Sequence, residues 1–182
     1  MTGLVYAFTG EGKGKTSAAL GVATRSLLNG EKVVWVAFYK QESWGLSEAK
    51  LKDKFENLEM IFTGKGFRIT NFDKKLMRDG KELKLATVGD GAKVVDTASE
   101  EEHKAAAQAG LSIALEILNP RSSDHSPKIA QGSELESQKP FLLVMDEVLN
   151  AVDEGLIAEK ELLKVMGNRG ETHLVLTGRI GS

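Results

Sequence analysis

The chain has 182 residues, with 24 basic and 26 acidic side chains and no cysteine, and a pI near 6.0. The charge balance lacks the basic excess of a dedicated nucleic-acid binder, and the missing cysteines exclude a disulfide scaffold, a thiolate metal site and a cysteine nucleophile. No apolar stretch approaches the ~20 residues of a membrane span, and no signal-peptide pattern follows Met1, so a cytoplasmic protein with no membrane or nucleic-acid partner is expected.

The length suits one domain over residues 1–182. Residues 4–8 (LVYAF) are a short apolar run ending in a glycine-rich turn. Leu20, Ala23, Leu27 and Leu28 share one face of a helix predicted over 16–28, with Asn29-Gly30 as its C-cap. Residues 32–40 (KVVWVAFYK) and 58–62 (LEMIF) read as strands, with a weaker helix at 46–55. An excursion over 65–98 holds two turn signals, Asp79-Gly80 and Gly89-Asp90-Gly91, around ELKLATV, and is expected to be hairpin-like or irregular. Its basic residues, Lys65 and Arg68 among them, read as a solvated face.

Ser99 and Glu102 form a capping box for a helix over 99–118, with Ala107, Leu111, Ala114, Leu115 and Leu118 inward. The polar stretch 119–139 reads as a mobile loop. Strands follow at 141–145 and 173–177, with a helix over 158–167 between them that turns Leu162, Val165 and Met166 inward. Near-continuous apolar strands alternating with helices predict an α/β fold, a three-layer α/β/α domain with a mainly parallel sheet buried on both faces.

Chemistry concentrates at two places. Thr9-Gly10-Glu11-Gly12-Lys13-Gly14-Lys15-Thr16-Ser17 lies between a predicted strand and a predicted helix. Glycines there let backbone N–H groups approach phosphate oxygens, the helix N-terminus adds its dipole, Lys15 brings a point charge and Thr16 a hydroxyl for Mg²⁺. Thr9 stands where the usual Gly-x-x-x-x-Gly-Lys-Ser/Thr pattern has glycine. The strand FLLVMDE ends in Asp146 and Glu147, the place where P-loop proteins keep a magnesium acid. His103, His125 and His173 lack ligand spacing, and His103 reads as a helix-surface residue. Trp35 and Trp44 read as core and loop packing.

The sequence TGEGKGKTS resembles the P-loop type of ATP:cob(I)alamin (corrinoid) adenosyltransferase, the CobA/CobO/BtuR family. So do SAALGVATRSLLNGEKVVWVAFYK, Thr63-Gly64-Lys65-Gly66-Phe67, the Asp146-Glu147 strand and Thr177-Gly178-Arg179. The resemblance implies that a reduced corrinoid cobalt attacks the 5′ carbon of ATP and displaces triphosphate, so the protein supplies no nucleophile. It places the triphosphate on Thr9 through Ser17 with Arg179, and Mg²⁺ on Thr16 with Asp146 or Glu147. Lys15, Glu147 and Phe67 take the catalytic roles, Phe67 against the lower cobalt face. It also implies a homodimer, and a reductase or corrinoid-receiving enzyme as partner.

The sequence departs from the family at Ile69, where an aromatic residue is usual, at Leu149 and Asn150, where a polar residue usually comes first, and in the length of the 73–98 segment. Members usually continue past the Thr-Gly-Arg block, whereas this sequence stops at Ser182. The alternative is a P-loop ATPase or kinase-like enzyme acting on another substrate, with Glu147 as its nearest base. A nucleotide-dependent binding module is a third reading.

Overall fold

The structure is a computed structural model that describes residues 1–69, 71–78, 80–88, 91–119 and 139–181. In chain order its elements are β1 (Val5–Phe8), α1 (Lys15–Leu28), β2 (Val33–Ala37), β3 (Leu58–Phe62), β4 (Lys74–Arg78), β5 (Lys81–Val88), β6 (Ala92–Asp96), α2 (Glu100–Leu118), β7 (Leu142–Asp146), α3 (Val148–Asp153), α4 (Glu159–Gly167) and β8 (His173–Thr177). Five strands form a parallel sheet in the order β1-β8-β7-β2-β3. Strand residues alternate faces, and the core divides accordingly. Val33, Trp35 and Ala37 pack with Ala19, Ala23 and Leu27 of α1. Val34, Val36 and Phe38 pack with α2, α3 and α4 on the opposite face. The three-layer α/β/α arrangement follows from those two clusters.

Several expectations are corrected. Leu28 is 72% exposed, because α1 turns only Ala19, Ala23, Ser26 and Leu27 fully inward. Burial on both faces holds for β2 and β7 but not for β1, which pairs only with β8 among the described strands. The weak helix at 46–55 is a short 3-10 stretch over Glu48–Asp53. A short helix, α3, was not predicted. The 65–98 excursion is hairpin-like as expected, with three strands, β4-β5-β6, paired antiparallel as a separate sheet. The capping box of α2 is formed, with Glu102 N donating to Ser99 Oγ and Ser99 N donating to Glu102 Oε2. The loop expected at 119–139 lies, apart from its two end residues, outside the described residues.

Strand register positions the site. Phe8 pairs with Thr177, and Ala37 pairs with both Asp146 and Phe62. All five strands are parallel, so they end on one edge, and residues 9–17, 38–44, 63–69, 147 and 178–179 all leave from it. In open parallel sheets that carboxyl edge is where ligands bind.

Candidate active site

The loop from Thr9 to Gly14 is exposed and enters α1 directly. Gly14 caps the helix at φ 114°, a left-handed conformation that favours glycine, and no side chain caps the first turn. The first turn also carries no acidic residue. Its backbone N–H groups and dipole are thus free to face an anion. Lys15 Nζ lies across the loop, donating to Gly10 O at 2.7 Å and Gly12 O at 2.9 Å. Glu11, Lys13 and Ser17 are exposed around it.

Thr16 connects this cradle to the acidic strand end. Its hydroxyl donates to Asp146 Oδ1 at 3.2 Å, and Thr177 Oγ1 donates to the same oxygen at 2.7 Å. Asp146 is fully buried. Its other oxygen, Oδ2, lies 2.7 Å from Lys40 Nζ, yet no aligned hydrogen-bond donor reaches it. The contact is therefore charge against charge. Lys40 also meets Glu48 at 2.5 Å. Burial pulls the Lys40 pKa down, but Asp146 and Glu48 outweigh it and leave the ammonium above its ordinary value.

Glu147 follows at φ 66°, the one non-glycine residue with positive φ among those described. Such a conformation costs on the order of 1–3 kcal/mol and needs support. Its N–H donates to Thr177 Oγ1 at 2.8 Å. Burial and the neighbouring Asp146 raise the Glu147 carboxyl above its ordinary pKa, against the pull of Lys15, Lys40 and Arg179. Arg179 is exposed, with its backbone N–H held by Asn150 Oδ1 at 2.5 Å.

A second cluster forms where residues 63–69 leave β3. Phe67 is 51% exposed, and its ring stacks on Trp44 at 4.9 Å and 25°. The backbone beneath it is fixed at several points. A Cβ at Gly64 would come within 2.0 Å of the Tyr39 carbonyl carbon, so only glycine allows the close approach. Gly66 N donates to Tyr39 O. Arg68 makes a two-pronged contact with Glu100, at 2.6 and 3.0 Å, and donates to Glu154 at 2.9 Å. Glu100, with Glu154 second, raises the guanidinium pKa further. Tyr39 donates to the same Glu154 oxygen at 2.8 Å. Burial and Glu154 push the phenol far up, so it stays neutral.

Ile69 is buried, and its N–H donates to Asp96 Oδ2 at 3.0 Å. Asp96 also pairs with His103 Nε2 at 2.9 Å. His103 is 4% exposed, which corrects its expected place on a helix surface: the polar anchor at Asp96 draws it inside.

The geometry thus joins Lys15, Thr16, Asp146 and Glu147 at one corner and sets Phe67 apart with Trp44. Sequence reasoning passed over Lys40, Thr177 and Asn150 as side-chain donors and acceptors, and read Trp44 as packing. A lysine just beyond an apolar strand, level with an acid on another strand, was the available signal for Lys40.

A family model described as ATP:corrinoid adenosyltransferase BtuR/CobO/CobP matches residues 1–181. The chain belongs to that family. Two curated proteins named corrinoid adenosyltransferase, from Escherichia coli strain K12 and from E. coli O6:H1 strain CFT073, are each 49% identical over 49 residues. The matched stretch spans 27% of this chain and 24% of each relative. Among the described residues no helix is long and apolar enough to cross a membrane.

Proposed function

We propose that this chain transfers the 5′-deoxyadenosyl group of ATP to the cobalt of a reduced corrinoid, releasing triphosphate. The observation that carries this reading is the pairing, on one sheet edge, of an open phosphate cradle with a firmly backed pair of exposed aromatic rings. Family membership supports it. A bond forms between cobalt and C5′ of ATP, the bond from C5′ to the triphosphate oxygen breaks, and its electron pair leaves with the triphosphate. The nucleophile belongs to the substrate, so the chain's task is to position two substrates and stabilise the leaving charge.

Lys15 would exchange the carbonyl groups of Gly10 and Gly12 for phosphate oxygens, beside the N–H groups of the first turn of α1. Thr16 and Asp146 offer hard oxygen donors, Asp146 Oδ2 now facing Lys40 Nζ at 2.7 Å and Oδ1 the hydroxyls of Thr16 and Thr177. That donor set fits Mg²⁺, which commonly takes one or two protein groups with substrate phosphates. When bound, magnesium neutralises part of the triphosphate charge. Glu147, with its raised pKa, is a second acid at that corner, and Arg179 adds a cation near it. Phe67 would present an apolar surface to the corrin. The reading includes a cytoplasmic location, a homodimer, and a reductase or corrinoid-receiving enzyme as partner.

The test is anaerobic. Chemically reduced Co(I) cobalamin is mixed with the protein, ATP and Mg²⁺, and loss of the Co(I) spectrum is followed with triphosphate release. Light-sensitive alkyl-cobalt product with one triphosphate per turnover is expected. Release of ADP and phosphate instead, with the Co(I) spectrum unchanged, would overturn the reading.

A further inference from the structure

Thr177, the last residue of β8, is fully buried at the carboxyl edge of the sheet, on the strand next to the one that carries Asp146. Its hydroxyl is used twice. It donates its one hydrogen to Asp146 Oδ1 at 2.7 Å and accepts the N–H of Glu147 at 2.8 Å. Building on the reading above, in which Asp146 and Glu147 serve Mg²⁺ and the triphosphate, we propose that Thr177 is a positioning residue. Its hydroxyl fixes both acids of the site, Asp146 through the side chain and Glu147 through the backbone.

Three observations carry this. Of the two hydroxyls on Asp146 Oδ1, that of Thr177 is the firmer. Bonds between hydroxyl and oxygen ordinarily span about 2.5–3.0 Å, and Thr16 stands at 3.2 Å. Thr177 therefore keeps the carboxylate oriented when Thr16 turns to a ligand. The second observation is the strain at Glu147, whose φ of 66° lies in a region that favours glycine. Its carbonyl is held only loosely, by Ala151 N at 3.3 Å, so the N–H bond to Thr177 is the shorter tether of that residue's backbone. It sets the direction in which the Glu147 side chain leaves the strand end. The third is that Thr177 is itself anchored. Pairing with Phe8 fixes its level in the sheet. A Cβ at Gly178 would come within 2.6 Å of Asn150 N, so the chain beyond Thr177 lies hard against α3. Arg179 N and Gly181 N then donate to Asn150 Oδ1 and Asp153 Oδ1. A serine hydroxyl could serve both partners as threonine does, whereas valine keeps the shape and can serve neither.

The experiment measures ATP binding by calorimetry, with Mg²⁺ and with EDTA. It compares wild type with two variants that lack the hydroxyl, Thr177→Val and Thr177→Ala, with Thr177→Ser, and with Thr172→Val as a control. Thr172 is a buried threonine just before the opposite end of β8, and its hydroxyl donates to Pro140 O. Removing a group that orients metal ligands commonly weakens the metal site about tenfold or more. Thr177→Val and Thr177→Ala should therefore weaken ATP binding about tenfold in Mg²⁺ and less than twofold in EDTA. In the anaerobic assay they should raise the Mg²⁺ concentration for half-maximal rate by a similar factor, with binding of cobinamide, a corrinoid, as in wild type. Thr177→Ser should return to within about threefold of wild type. Thr172→Val should lower the thermal midpoint and leave the Mg²⁺ dependence unchanged. Wild-type Mg²⁺ dependence in the variants without the hydroxyl, or a Thr177→Ser protein as impaired as they are, would overturn the proposal and leave the adenosyltransferase reading intact. A wild-type protein that binds ATP equally with and without Mg²⁺ would overturn the magnesium site, and the proposal with it.

Discussion

The two corners of the site are built by opposite means. Around Lys15 and Asp146 the contacts come from backbone groups, short side chains and a buried ion pair, beside an exposed loop in which glycine alternates with Thr9, Glu11 and Lys13. Around Phe67 the contacts come from two exposed rings, with the polar groups turned inward as struts. On the proposed function, the difference follows the ligands. Phosphate is met by many weak donors that must approach closely, which glycine allows. A flat apolar ligand is met by area, which is useful only if the rings are already fixed.

If that contrast is right, changes at the two corners should separate. Lys15→Ala should have the largest effect, weakening ATP binding by a hundredfold or more in calorimetry while leaving cobinamide binding intact. Wild-type ATP affinity would break the cradle assignment. Asp146→Asn removes one of the two carboxylates on the Lys40 ammonium and leaves Glu48 at 2.5 Å, so it should cost less than the roughly 3–5 kcal/mol of an uncompensated buried charge. A thermal melt should show the loss even without nucleotide, and an unchanged midpoint would mean that Glu48 alone suffices to hold Lys40.

Phe67→Ala should lower kcat/KM for the corrinoid about tenfold or more, with ATP affinity changed less than twofold. Equal losses in both would make Phe67 structural. Asp96→Asn probes the struts through pH. Burial would raise the Asp96 pKa, but the Ile69 N–H and His103 outweigh it and hold it low. The stability it contributes is therefore fully present above the ordinary aspartate value of about 3.9, and is lost as pH falls through its lower folded value. The midpoint difference between wild type and variant should shrink below about pH 4. Ser99→Ala should be the smallest change, about 1 kcal/mol from the lost cap, with both ligands bound as before.

Much of the frame could be read from the chain. The apolar runs became strands because a parallel sheet buries both faces of its inner members, and Ser99 with Glu102 announced α2 because a capping box is a local device. The cradle was legible for the same reason: strand, glycines, Lys15 and helix are contiguous. What stayed hidden depends on contacts between distant residues. Lys40 meets Asp146 only because β2 and β7 are neighbours. His103 is buried only because β6 brings Asp96 to it. Trp44 looked like loop packing because its partner ring arrives 23 residues later, beyond another strand. Leu28 misled because it falls at the edge of an otherwise apolar helix face.

The Lys40–Asp146 pair also sets how the two corners answer to ionic strength. Mobile ions screen charges exposed to solvent, over a Debye length of about 8 Å at physiological salt, and they act weakly on charges beneath the surface. Asp146 is fully enclosed and Lys40 nearly so, whereas Lys65 and Lys93 stand in water around Phe67. Added salt should therefore leave the acid's counter-charge in place while it fades the pull of those two lysines on an anionic group. Titrated with potassium chloride, the two ends of one active site become separable without a mutation.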